Sequence, residues 1–159
     1  MRWLHSKTLV ALAVALSATP AFSQASNFGE LKLSLGFSPG AGQVSGLTGG
    51  TYSLSSLANS GSNGKHCIGY GAQTPDHIVV LQSKFPKLSV QVDSGGQDTT
   101  LVIQGPNNLI LCGDDTKTSK GVSKDASIEA ANLPAGKYSI WVGTLKEGQR
   151  WNYTLTVRE

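Results

Sequence analysis

Short runs with apolar residues at every second position fill the chain from His77 onward. Val79 and Leu81 alternate with Ile78 and Val80, and Leu88, Val90 and Val92 alternate with Ser89 and Gln91. Thr99 to Gln104 and Leu109 to Cys112 follow, then Tyr138, Ile140 and Val142 alternating with Ser139 and Gly143. The last run places Trp151, Tyr153, Leu155 and Val157 on one face and Asn152, Thr154, Thr156 and Arg158 on the other. A period of two is the mark of half-buried antiparallel strands. Strands this short, separated by Gly, Pro and Asn turns, predict an all-β fold, a small antiparallel β-sandwich of jelly-roll type.

Residues 24–74 are different. One alternating segment, Leu31, Leu33, Leu35 and Phe37, predicts a first strand. Ser38-Pro39-Gly40-Ala41-Gly42 and Gly46-Leu47-Thr48-Gly49-Gly50 are turn chemistry, and Ala58 to Gly64 has the composition of a flexible loop. The expected organisation is a leader at 1–23, a Gly/Ser-rich segment at 24–74 with one or two strands of the same domain, and a sandwich core at 75–159.

The leader sets the compartment. Arg2 and Lys7 precede an apolar run from Thr8 to Leu16, and Ala21-Phe22-Ser23 puts small residues at a cleavage point, the pattern of a secretory signal peptide. The run is too short to span a bilayer about 30 Å thick, so no membrane anchor is expected and the mature chain is placed in the periplasm or secreted. Removing residues 1–23 from the 159 leaves 136, enough for one domain. Without Arg2 and Lys7 the 13 basic residues fall to 11 against 10 acidic ones, so the mature chain is nearly neutral. Its basic residues are scattered singly apart from Lys117, Lys120 and Lys124, and nucleic acid, which needs a concentrated positive face, is not an expected partner. Cys67 and Cys112 are an even pair in an oxidising compartment, which predicts one disulfide.

One hairpin can be registered from these residues. With a two-residue turn at Pro106-Asn107, Gly105 faces Asn108, Ile103 faces Ile110, Leu101 faces Cys112 and Asp98 faces Asp115. Cys112 then shares an inner face with Leu101, Ile103 and Ile110. Two carboxylates meet at the open end, where like charges repel, so the strands splay there or a positive group sits between them.

Three stretches carry a resemblance. Asp98-Thr-Thr-Leu-Val-Ile-Gln-Gly-Pro106 with Cys112-Gly-Asp-Asp115, Pro134-Ala-Gly-Lys-Tyr-Ser-Ile-Trp-Val-Gly143, and the closing Tyr153-Thr-Leu-Thr-Val157 together resemble the bacterial pre-peptidase C-terminal domain family. They span about half of the mature chain, from Pro75 onward. The resemblance implies a β-sandwich that accompanies secreted proteases and other exported enzymes in an assisting or ligand-binding role. In this sequence no catalytic domain accompanies it.

Four features are candidates for chemistry. Asp93-Ser94-Gly95-Gly96 is similar to the nucleophile run of chymotrypsin-like proteases, and His66 and Asp76 precede it in the family's chain order. Against this stand Val92 where the protease has Gly, Gly64-Lys65 before His66, and a chain too short for two barrels. Asp-Ser-Gly-Gly is also ordinary turn composition, so no catalytic residue is assigned. Asp98, Asp114 and Asp115 converge in the hairpin register, and members of the resembled family bind calcium through acidic loop residues. Calcium is therefore the one cofactor for which a donor set exists, although its six to eight oxygens need more than three side chains. Trp141 falls opposite the inward set Tyr138, Ile140 and Val142. There it forms a ligand platform if solvent reaches it, and a covered ring if the Gly/Ser-rich segment lies over it. His66 and His77 flank different elements and lack a further ligand for a metal.

The expected function is a non-catalytic exported domain that binds a protein or polysaccharide outside the cytoplasm. A serine peptidase-like hydrolase using Ser94 and a structural envelope-interaction protein are the alternatives.

Overall fold

The computed structural model describes residues 25–159, so the leader lies outside the described residues. Twelve strands are formed: β1 (Glu30–Leu33), β2 (Gln43–Leu47), β3 (Tyr52–Ser53), β4 (Tyr70–Gly71), β5 (His77–Leu81), β6 (Phe85–Asp93), β7 (Thr99–Gln104), β8 (Ile110–Gly113), β9 (Asp115–Thr118), β10 (Gly121–Leu133), β11 (Gly136–Thr144) and β12 (Asn152–Arg158). They make two sheets. In the first, β1, β5, β11, β7 and β8 lie side by side, and β4 and β3 continue beside the far end of β11. The second has the order β2-β12-β6-β10-β9. Every pair is antiparallel except β1 with β5, which runs parallel, a departure from the expected pattern.

The alternating positions become the core between the sheets. Val79, Leu81, Leu88, Val90, Val92, Tyr138, Ile140, Val142, Tyr153, Leu155 and Val157 are all buried there. The expected first strand is shorter than its pattern: it ends at Leu33, Leu35 is 52% exposed, and Phe37 leaves the ladder to pack on Phe85 at 6.1 Å.

The hairpin register differs from the expected one by a single residue. Gly105 N–H donates to the Leu109 carbonyl across a three-residue turn, Pro106 to Asn108, in which Asn107 and Asn108 both take left-handed backbone, φ 57° and 58°. Asn tolerates that region better than other side chains. The extra turn residue makes Val102 face Cys112 and Ile103 face Leu111. A one-residue shift moves side chains to the other face. Cys112 therefore lies on the outside of the sheet, not inside with Leu101 and Ile103.

That outer face is covered. Leu54, Cys67, Val102, Cys112 and Trp141 form a second buried cluster, with Tyr52, Leu57, Ala58 and Ile110 packed against it. The Gly/Ser-rich segment is thus a lid on the first sheet, and its small residues are needed for close approach. A Cβ at Gly69 of the lid would sit 2.3 Å from the Thr100 hydroxyl oxygen, and one at Gly143 on β11 would sit 2.7 Å from the Leu54 side chain. Cys67 on the lid is bonded to Cys112 on β8, with Cα atoms 5.1 Å apart. Asn63 closes the edge of β8 in the same place: its side-chain amide donates to the Cys112 carbonyl (2.8 Å) and accepts from the Cys112 N–H (3.3 Å).

Cysteine-to-serine replacement at both positions should lower the free energy of unfolding by roughly 4 kcal/mol, the chain-entropy value for a loop of this length. Urea denaturation followed by tryptophan emission would check this, and the mid-point should fall equally when the parent is treated with dithiothreitol.

Candidate functional site

Strand β10 is the longest in the fold and has no clean alternation in sequence, yet it organises two of the candidate features. Asp125 is its central carboxylate and is 9% exposed. It accepts the Ser94 N–H (2.8 Å) and the Ser94 hydroxyl (2.5 Å) on Oδ1, and the Gly96 N–H (3.1 Å) on Oδ2. The Asp-Ser-Gly-Gly run is therefore a turn wound around a buried carboxylate, with Gly95 and Gly96 at φ 75° and 86°. Ser94 Oγ has Asp125 and the Gln97 carbonyl as partners. His66 is paired with Ser60 through Nδ1 at 3.3 Å, and Asp76 with the Val142 N–H (2.8 Å) and the Asn27 amide (3.2 Å). The three residues of the protease-like pattern do not form a hydrogen-bonded triad. Asp125, the residue that fixes Ser94, carries no motif and follows its turn by about thirty positions, so sequence gave no means of pairing it.

The acidic residues do converge. Residues 110–118 run through both sheets: the chain pairs with β7 up to Gly113 and with β10 from Asp115, crossing at Asp114. Gly113 is needed at this corner, since a Cβ there would lie 2.4 Å from the Ser127 carbonyl oxygen. The crossing brings one carboxylate oxygen each from Asp98, Asp114 and Asp115 within 4.8 Å of one another. Burial, followed by the charges of Asp115 and Asp98, raises the Asp114 pKa. One Asp114 oxygen, Oδ1, is buried without a hydrogen-bond partner.

The positive group called for by facing carboxylates is Lys124, whose ammonium donates to Asp98 Oδ2 at 2.9 Å. That bond and the neighbouring carboxylates raise the Lys124 pKa. An all-oxygen set with an unpaired buried oxygen fits a hard cation such as calcium, which would draw its remaining ligands from water or carbonyls. Lys124 is the resident counter-charge that such an ion would displace from Asp98.

Trp141 is 3% exposed beneath the lid, and its indole N–H donates to the Gln73 carbonyl at 3.2 Å. The open ligand platform is corrected to a covered ring, because the outer face of β7, β8 and β11 is too apolar to remain in water.

His77, set aside as a metal ligand in the sequence, is a packed polar group of the interior. His77 is fully buried, and its Nε2 shares a 2.8 Å hydrogen bond with the Tyr153 hydroxyl, edge-on to that ring. Burial lowers the His77 pKa to about 4, raises the neighbouring Asp76 to about 6, and raises the Tyr153 phenol. Their unfolded values lie in the opposite order, near 6.5 for His and 3.9 for Asp. Between these limits the folded pair holds one proton on Asp76 and the unfolded pair holds one on His77. The two opposing slopes cancel.

The features together define an all-β two-sheet sandwich with one outer face sealed by a disulfide-bonded lid and an acidic corner where the chain changes sheets. No family model and no curated protein matches the chain. Among solved structures it is similar to the pre-peptidase C-terminal domain of a collagenase from Bacillus anthracis, at 15% identity and a TM-score of 0.43. That match covers 81% of this chain and 94% of the other.

Breaking the Asp76–His77 compensation should expose each slope. Asp76 alone makes folding less favourable as pH rises from about 4 to 6, so Asp76→Asn should gain stability relative to the parent over that range, by up to about 3 kcal/mol. His77→Gln should gain relative to the parent as pH falls from 6.5 to 4. Urea unfolding at intervals across this window measures both. Parallel pH profiles for parent and variants would refute the opposed pair.

Proposed function

We propose that this chain is an exported, non-catalytic β-sandwich that acts as a binding or accessory domain for another component outside the cytoplasm. One observation carries the proposal: among the described residues the Ser94 hydroxyl is bonded to a backbone carbonyl and to a carboxylate already taken up by the amides of its own turn, and to no imidazole. A serine nucleophile needs a base within hydrogen-bond reach and an oxyanion hole facing it. The leader-like residues 1–23 support export, and the motifs shared with the pre-peptidase C-terminal family support an accessory role.

Calcium belongs to this proposal as a structural ion. Held by Asp98, Asp114 and Asp115, it would neutralise the corner at which the chain passes between sheets and tie the turn before β7 to the start of β9. It would supply stability and no chemistry.

Two measurements bear on these points. Incubation of the purified protein with a fluorophosphonate probe and with casein should give neither labelling nor cleavage, and labelling at Ser94 would overturn the non-catalytic assignment. Calcium in large excess should raise the melting temperature by several degrees, since a ligand at 100 times its Kd adds about 2.7 kcal/mol. Asp114→Asn should abolish that rise while stabilising the calcium-free protein by relieving repulsion. A calcium-independent parent would mean that Lys124 alone neutralises the cluster.

A further inference from the structure

Beyond Asp114 the two sheets separate, and one strand edge is left open. Ser127 N–H donates away from β6, to the Asp114 carbonyl at 3.1 Å. Main-chain groups on an antiparallel strand alternate sides with a period of two. The N–H and C=O of Glu129 and Ala131 therefore point the same way as those of Ser127. β9 pairs with β10 only between Gly121 and Ala126, and β8 has already turned into the other sheet. Among the described residues the inner edge of β10 from 129 to 131 thus has no strand beside it, whereas the facing edge of β8 is closed by Asn63 and by the Ser62 N–H on the Ile110 carbonyl.

A groove of about 440 Å³ lies along this open edge. Its floor includes Leu109, Leu111, Ala130 and Leu133, and its rim includes Asn107, Asn108 and Asn132. All three asparagines are in left-handed conformation, φ 56–58°, two in the turn before β8 and one at the penultimate position of β10. Among the described residues the only charged lining side chain is Glu129, and it is ion-paired to Lys87 at 3.2 Å.

We propose that the open edge of β10 is a docking site for an extended peptide segment of a partner protein, added as a further strand. Unpaired N–H and C=O groups two residues apart on one strand edge demand the same groups at the same spacing from the occupant, which a peptide backbone supplies and a polysaccharide does not. Ala130 and Ala131 leave room for close approach, and the apolar floor accepts alternate side chains of a small or aliphatic kind. With Glu129 neutralised by Lys87, the segment needs no net charge. The inference deepens the accessory-domain proposal by naming the class of partner. Its test is separate from the probe and casein assays, so either can fail alone.

A displayed library of random dodecapeptides panned on the immobilised protein should enrich sequences with apolar residues at alternate positions. Hydrogen exchange with a synthetic copy of the enriched peptide should then slow at the Glu129 and Ala131 amides. N-methylation at the peptide residues bonded to β10 should weaken binding by up to about tenfold for each bond lost, and methylation at the intervening residues should not. Ala131→Pro removes a donor from the open edge and should lose the peptide. The methylated peptides give the same information without altering the protein. Failure to enrich any sequence over the Ala131→Pro surface, or protection elsewhere, would overturn the proposal. Concentration-dependent protection of 129 and 131 without peptide would assign the edge to a second copy of this chain instead.

Discussion

Strands β7 and β11 are apolar on both faces, and most of the architecture follows from that constraint. Leu101, Ile103, Tyr138, Ile140 and Val142 fill the space between the sheets, while Val102 and Trp141 point the other way. An antiparallel sheet can leave one face in water only if that face is polar. This one cannot, so a third layer is required. Residues 48–69 provide it with little regular structure of their own: a 3-10 turn at Leu54–Ser56, a two-residue strand, and glycines that let the backbone lie close. The disulfide and the Asn63 amide then hold the lid to the edge of β8. The second sheet has a polar outer face and, among the described residues, no corresponding cover.

The strands were legible where one face was apolar and the other polar. β6 and β12 follow that alternation almost residue for residue, whereas β7 and β11, buried on both faces, were marked by short β-branched runs. Strand β10 was not legible, because Ser123, Lys124, Asp125, Ser127 and Glu129 mask the buried Ala126 and Ile128. The lid was legible as low-complexity chain but not as a lid, since its anchoring residues, Leu54 and Cys67, stand singly among Gly and Ser. The hairpin shows how little separates a right pattern from a wrong face. Pro106-Asn107 and Pro106-Asn107-Asn108 are both reasonable turns, and one residue decides whether Cys112 is inside or outside.

The candidate chemistry divides along the same line. Groups read from local runs, such as Asp93-Ser94-Gly95-Gly96, proved to depend on a partner distant in sequence. Asp125 converts a nucleophile-like run into a turn, and Lys124, one residue earlier, supplies the cation that opposed carboxylates require. These two neighbours fall where the β10–β9 register shifts between Ser123 and Ala126, and they serve different tasks, Asp125 the turn after β6 and Lys124 the acidic corner. The pair of Asp76 and His77 is a third case: two adjacent polar residues enter the interior together, and their preferences for the neutral form offset each other.

The position of β12 has a consequence for how the fold is reached. It lies between β2 and β6, so Leu155 must find Val44 and Val92 before its sheet has a middle. The lid likewise precedes in sequence the β11 surface it covers. Pairings between such distant segments give a high contact order, and chains of that kind fold slowly and late. Until β12 is available the second sheet is incomplete, because β12 is the strand that joins β2 to β6.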